Sequence, residues 1–281
     1  MQDSAALAAL RRKAETLRAL HHGPEPLLLL NAWDAASARV VESLGFPAIA
    51  TTSSGVANAL GYADGERLSR EEMLAAVARM VRAVAVPVTA DLEAGYGAGT
   101  QAVVATVRAA VNAGAAGCNL EDARNGALLP LKAALARVQA ARAAAEAAGV
   151  PLVINARTDA FHPGYFQGDA CTEAVRRANA YREAGADCLF LPFVSDAATI
   201  GRLVKAVHGP VNILAGANTP PLAELKKLGV ARVSVGGALA RAALTAIRQV
   251  AEELQATGSF DFANRIISHA EMHALLTSKP H

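Results

Sequence analysis

Cysteines are few, aromatic residues are scarce, and long hydrophobic runs are missing. Cys118, Cys171 and Cys188 are the three cysteines among 281 residues. The count is odd and no CxxC spacing occurs, which argues against a disulfide framework and against a zinc site. A reducing, cytoplasmic setting is expected. The N-terminus carries Asp3 and then an amphipathic pattern through Leu7, Leu10, Leu17 and Leu20, not the continuous apolar run of a signal peptide. Leu27 to Leu30 is apolar but far too short to span a bilayer. An excess of one charge is also missing. The 27 basic and 25 acidic residues leave a net charge of +2, so neither nucleic acid nor a membrane surface is an expected partner. The cluster Arg11-Arg12-Lys13 reads as the solvated face of a helix.

Apolar residues make up 53% of the chain, enough for a large core. Much of this is alanine, which favours helix and adds little bulk. A leading helix is expected over 4–20. After it, short apolar runs alternate with longer helical stretches. The candidate strands are Leu27–Asn31, Ala48–Thr52, Val86–Asp91, Gly117–Glu121, Leu152–Arg157, Asp187–Leu191, Val211–Leu214 and Arg232–Val235. Helical patterns follow at 34–44, 70–83, 100–113, 131–147, 170–184, 196–206, 221–228 and 237–256. Gly-containing turns such as Leu44-Gly45-Phe46-Pro47 and Ala148-Gly149-Val150-Pro151 suit helix ends. Strict alternation of β and α implies a parallel sheet, and eight units imply closure into a (β/α)8 TIM barrel. An open doubly wound sheet is the rival, but Asn31-Ala32-Trp33-Asp34 is not the Gly-rich loop such a sheet carries after its first strand. The reading is one domain over 1–281, with 259–281 as a C-terminal helical extension.

Barrel active sites lie at the C-terminal ends of the strands. The third strand ends in Asp91-Leu92-Glu93, the fourth in Asn119-Leu120-Glu121 and the fifth in Asn155-Ala156-Arg157. Residues two apart on a strand share a face, so several carboxylates converge on one mouth. Such a group repels itself unless some members are protonated or a cation sits among them. One acid at a strand end is most simply a helix cap or a rim ion pair; three such strand ends favour a site. Oxygen ligands without His or Cys favour Mg²⁺ or Mn²⁺. Thr52-Ser53-Ser54-Gly55 offers hydroxyls and N–H groups for a carboxylate or enolate oxygen, or else is an ordinary polar turn. Arg157 suits a substrate carboxylate, or the neutralisation of Glu121 or Asp159. Gly236-Gly237 is similar to the phosphate loop of many barrels, or serves close packing. His162 reads as structural, and Cys118 and Cys188 as core.

These stretches resemble the isocitrate lyase / phosphoenolpyruvate mutase superfamily. The marks are Asn31-Ala32-Trp33-Asp34-Ala35, Thr51-Thr52-Ser53-Ser54-Gly55, Leu60-Gly61-Tyr62-Ala63-Asp64, Ala90-Asp91-Leu92-Glu93-Ala94-Gly95-Tyr96-Gly97, Asn119-Leu120-Glu121-Asp122 and Asn155-Ala156-Arg157-Thr158-Asp159. They run from about Leu29 to about Ala251. The resemblance implies that Asp91 binds Mg²⁺ directly and that Asp64, Glu93 and Glu121 hold its waters. It implies that Thr52, Ser53 and Arg157 contact a substrate carboxylate. It also implies helix-swapped dimers that pair into tetramers, so a homo-oligomer is expected. The chain departs from the lyases in one loop. They carry Lys-Lys/Arg-Cys-Gly-His after the Glu-Asp pair, whereas this chain has Ala123-Arg124-Asn125-Gly126-Ala127-Leu128-Leu129-Pro130. The mutase branch places Lys and Asn there; Asn125 and Lys132 are present, at a different spacing. The chain is most similar to the short-loop, mutase-like bacterial branch.

The expected activity is therefore a Mg-dependent carbon–carbon lyase or decarboxylase. It would act on a small α-keto or α-hydroxy carboxylate, such as oxaloacetate or a (methyl)isocitrate-like acid, through the enolate of pyruvate. Asp91, Tyr96 and Arg157 are its expected catalytic residues, with water or Tyr96 returning the proton. P–C bond chemistry of the mutase or phosphonopyruvate hydrolase type is one alternative, and a non-catalytic keto-acid binder is another.

Overall fold

The computed structural model describes residues 4–278. The leading helix α1 (Ser4–Leu20) buries Leu10, Ala14 and Leu17. The first predicted strand is broken into β1 (Leu27–Leu29) and β2 (Asn31–Ala32), and α2 (Ala35–Ser43) follows behind an Asp34–Ser37 capping box. Then come β3 (Ile49–Thr51), α3 (Ser53–Ala59), α4 (Arg70–Ala83), β4 (Val88–Asp91) and α5 (Thr100–Asn112). Next are β5 (Gly117–Glu121), a hairpin of β6 (Ala123–Arg124) and β7 (Ala127–Leu128), α6 (Leu131–Ala147), β8 (Val153–Arg157) and α7 (Ala170–Glu183). The chain continues through β9 (Cys188–Leu191), α8 (Ala197–Ala206), β10 (Val211–Leu214), α9 (Leu222–Leu228), β11 (Arg232–Ser234) and α10 (Ala238–Thr257). A 3₁₀ turn (Asp261–Arg265) and α11 (His269–Thr277) end the described chain.

The main sheet runs β1-β11-β10-β9-β8-β5-β4-β3-β2, parallel throughout. Its two ends are neighbours in the chain, separated only by Leu30. β1 pairs with β11 and β2 with β3, so one strand in two pieces closes the barrel. The (β/α)8 expectation holds on these pairings. No described helix is long and apolar enough to cross a membrane.

Three local features depart from the reading of the sequence. Thr52-Ser53-Ser54-Gly55 is not a turn but the start of α3, with Thr52 as its N-cap. Short polar residues hide so small a helix, because no apolar periodicity marks it. The segment after Glu121 is a hairpin whose turn residues Asn125 and Gly126 both have left-handed φ, 53° and 77°. An Asn-Gly pair is the usual signal for such a two-residue turn. The tail, expected as one helix, is broken between Ile266 and Ser268. Its last helix returns to α2, where Arg39 donates from Nε to the Leu275 carbonyl (2.7 Å) and from Nη2 to Ser278 Oγ (2.5 Å).

Helix α1 seals the N-terminal end of the barrel. Arg18 Nε donates to Asp187 (3.1 Å) and Arg18 Nη2 to the Pro151 carbonyl (3.2 Å), both in loops at that end. Leu17 is fully buried, and a Cβ on Gly117 would lie 2.8 Å from Leu17 Cδ2 and 2.9 Å from the Val153 carbonyl. Glycine is thus required where α1 meets the strand ends. Leu17→Ala is expected to destabilise the protein by about 2–5 kcal/mol, because the vacated space cannot collapse against strands. Urea unfolding monitored by circular dichroism measures this; a loss under 1 kcal/mol (roughly the value of one buried methylene) would mean that α1 is not part of the core.

Candidate active site

The strand ends open into a cavity with two lobes, about 670 Å³ and 470 Å³. The lobes meet at Ser53, Asp64, Arg157 and Phe193, which line both. Asp91 closes β4 at this junction. Its N–H donates to Thr51 Oγ1 (2.8 Å), which ties it to β3. Its Oδ2 accepts from the Ser53 N–H (2.9 Å) and Ser53 Oγ (2.8 Å). Its Oδ1 faces Asn119 Nδ2 at 3.5 Å. The Asn119 amide is itself oriented, because its Oδ1 accepts from Asn155 Nδ2 (2.8 Å) and from Arg232 Nη2 (3.3 Å) across the barrel interior.

Arg157, at the end of β8, lies between two carboxylates. Nε and Nη2 bind the two oxygens of Asp159 at 2.7 and 3.0 Å, and Nη1 reaches Glu121 at 2.8 Å. A guanidinium has five N–H donors, so two remain for a ligand. Asp159 is held in turn by Asp122, whose Oδ1 accepts from the Asp159 N–H (2.9 Å). Asp122 Oδ2 is bound by Tyr181 (2.6 Å) and Arg177 (3.1 Å). This buried row fixes the guanidinium from behind.

The remaining acids crowd the same mouth. Burial raises the Glu93 carboxyl to about 7, and the charges of Asp91 and Asp64 push it the same way, against hydrogen bonds from the Glu66 N–H and Tyr96 hydroxyl. Asp64 is raised by burial and by Asp91, and Glu121 by burial despite Arg157. Tyr96 donates its hydroxyl to Glu93 (3.0 Å) and its N–H to Glu66 (2.6 Å), and it lines neither lobe. Burial and the neighbouring Glu93 hold its phenol well above the ordinary range. Thr52 Oγ1 is occupied with Ser54 (3.1 Å) and the Gly55 N–H (3.4 Å). Cys118 and Cys188 are buried, their thiols pushed up to about 12 by desolvation.

The lobes also carry residues that had no expected role in the site, among them His162, which read as structural. Arg124, on the hairpin, pairs with Glu66 (3.0 Å). Arg67, Arg241, His162 and Phe193 complete the walls. Every non-glycine residue with left-handed φ among the described ones belongs to this mouth or touches it: Glu66, Glu93, Tyr96, Asn125 and Phe193. Such backbone is unfavourable for residues with a side chain and gathers at functional sites. No periodicity foretells it.

The donor set fits a hard cation. Asp64, Glu66, Asp91, Glu93, Glu121 and Asp159 face Arg67, Arg124, Arg157 and Arg241, leaving two negative charges in excess when all are ionised. Among the described residues no three acids, histidines or cysteines converge on one point. The acids that line the lobes offer oxygen donors, the type that a hard cation prefers.

The family model for phosphoenolpyruvate phosphomutase matches residues 17–255. The chain belongs to this family. An oxaloacetate decarboxylase of Bradyrhizobium diazoefficiens is 28% identical over 95% of this chain and 96% of its own. A 2-methylisocitrate lyase of Escherichia coli is 30% identical over 72% of this chain and 70% of its own. A Burkholderia cenocepacia structure, named as a candidate lyase or mutase, superimposes with a TM-score of 0.90. It is 38% identical and covers 97% of this chain and 99% of that one. The relatives are thus lyases and mutases of the superfamily that the sequence motifs indicated.

Glu93 makes stability depend on pH in a defined sense. Its folded pKa, about 7, lies above its ordinary 4.5, so the folded state binds more protons between these values. Metal-free protein is expected to lose stability as pH rises from 5 to 8, by up to about 3 kcal/mol for this group, each tenfold change in proton affinity being worth about 1.4 kcal/mol. Thermal unfolding in EDTA at both pH values, for wild type and Glu93→Gln, measures it. A fall equally steep in the variant would assign the effect elsewhere.

Proposed function

We propose that this chain is a Mg²⁺- or Mn²⁺-dependent carbon–carbon lyase that decarboxylates a small keto diacid such as oxaloacetate. The observation that carries the reading is the junction itself. Arg157, with two donors left, stands in a mouth where six carboxylates face four arginines. One carboxylate of the substrate takes those donors. Asp91 would hold the cation directly, while Asp64, Glu93 and Glu121 would hold its waters. The cation, when bound, neutralises charge that develops on the keto oxygen. Ser53 and Thr52 flank the same point, with the Ser53 hydroxyl on Asp91 and the Thr52 hydroxyl on Ser54.

Retro-aldol cleavage of a hydroxy acid needs a base for the hydroxyl proton and an acid for the departing carbon. The hairpin that stands where the lyases carry Cys and His offers Arg124 and Asn125 instead. Loss of CO₂ from oxaloacetate asks for less. The C3–C4 bond breaks, its electron pair remains as the enolate of pyruvate, and no proton moves in that step. Because Tyr96 is engaged by Glu93 outside the lobes, water is the better proton source of the two expected ones. The full-length match to a protein named oxaloacetate decarboxylase supports the same choice.

A homo-oligomer belongs to this reading. Only Ala240 is buried on the twenty-residue helix α10, while Leu244 and Ile247 are 54% and 65% exposed. An apolar stripe of that kind suits burial in a second copy. Light scattering is expected to give a dimer or larger, and Leu244→Glu with Ile247→Glu to give a monomer; a monomeric wild type would reject it.

The activity is tested with one Mg²⁺-loaded sample, following CO₂ and pyruvate from oxaloacetate and aldehyde or keto-acid release from methylisocitrate. Oxaloacetate is expected to react faster, and Asp91→Ala to lose at least about a hundredfold in rate while remaining folded. Faster methylisocitrate cleavage would refute the argument from the missing acid and base. Turnover of phosphonopyruvate alone would move the protein to P–C chemistry.

A further inference from the structure

Phe193 sits where the two lobes meet, directly after β9, with left-handed backbone (φ 65°) and 47% of its surface exposed. Both features are unfavourable for a phenylalanine. A ring kept there against backbone preference and against burial points to a use in the cavity. Its surroundings show which use. The ring lies 5.8 Å from the Arg157 guanidinium, with Phe190 at 5.7 Å from the same group. The His162 ring meets it edge-on at 4.8 Å, and Tyr165 stacks on His162 at 3.6 Å. The aromatic group is thus braced from the β8 side and stands next to the one cation that faces both lobes.

We infer that Phe193 is a specificity-determining residue that limits substrate length, a conclusion that rests on the functional reading above. A keto diacid whose carboxylate is held by Arg157 begins at the junction. To extend into either lobe it runs along a junction walled by Ser53, Asp64 and the Phe193 ring, of which the ring is the bulkiest. A short acid stays close to Arg157, whereas each further methylene meets a ring braced by His162, on which Tyr165 stacks. The two lobes together enclose far more space than a four-carbon acid fills, so cavity volume alone sets no such limit. The left-handed backbone is what directs the side chain into the junction, since the same residue in extended conformation would project elsewhere.

The test compares wild type, Phe193→Gly and Phe193→Leu, each loaded with Mg²⁺. Glycine removes the ring and suits the left-handed backbone, so this variant is expected to fold, with circular dichroism as the check. Leucine keeps bulk without the aromatic plane, and covers the case in which the glycine variant fails to fold. Calorimetry gives dissociation constants for oxalate, as the short probe, and for 2-oxoglutarate, as the long one. Wild type is expected to prefer oxalate, and that preference to fall at least about tenfold in the glycine variant and less in the leucine one, a methylene misfit being worth about 10–200-fold. An unchanged ratio in the variants, with oxalate still bound and oxaloacetate still decarboxylated, overturns the role of Phe193 alone. Failure of wild type to bind either acid or to turn over oxaloacetate overturns the functional reading and this inference with it.

Discussion

The burial of several carboxylates at one barrel mouth is the constraint on which the rest of the site depends. Asp64, Asp91, Glu93 and Glu121 come from different strand ends and loops, yet all line adjoining walls of one cavity. Bringing them together raises the proton affinity of Asp64, Glu93 and Glu121, with burial as the largest cause. Much of the surrounding structure offsets that cost. Arg157 is held between Glu121 and Asp159. Ser53 gives both of its donors to Asp91. Glu93 is met by the Glu66 N–H and the Tyr96 hydroxyl. So much like charge in one place is an environment that suits a cation, and the closed parallel barrel is the frame that keeps it assembled.

The second layer shows how that stiffness reaches the mouth. Asp122 never faces a lobe, but it holds Asp159, which holds Arg157. Asn119 is fixed by Asn155 and by Arg232, a fully buried arginine without a carboxylate partner among the described residues. Its charge lies beneath Asp91 and helps to offset the acids above it. Each chain of contacts runs from a rigid element outward to one functional group, which is the arrangement that orients a ligand.

Legibility followed the reach of each physical rule. Residues two apart on a strand share a face, so Asn119 with Glu121 and Asn155 with Arg157 were visible in the bare sequence, whereas Glu93 lies past the end of β4 with left-handed backbone and reaches the mouth through its loop. The eight βα units were visible because glycine-containing turns punctuate them. What periodicity does not encode stayed hidden. Helix α3 is too short to show a pattern, and the break of the first strand at Leu30 leaves the apolar run unchanged. The Asn125-Gly126 pair signals a turn, but the strands that flank it, Ala123–Arg124 and Ala127–Leu128, are too short to show a pattern. Tyr96 was one of two expected proton sources, with water, and only the tertiary structure shows that its hydroxyl is given to Glu93.

The sequence by itself determined the barrel, the order of its elements, the face on which the acids gather and the family to which they belong. These follow from local spacing and from motif identity, which need no knowledge of distant contacts. The tertiary structure decided which groups are free and which are already engaged. It tied Arg124 to Glu66, left Arg157 with two donors, brought Arg241 from beyond the last strand to the cavity and placed Phe193 between its lobes. Those outcomes depend on where loops from separate βα units meet across the barrel mouth, and no single stretch of chain contains that information.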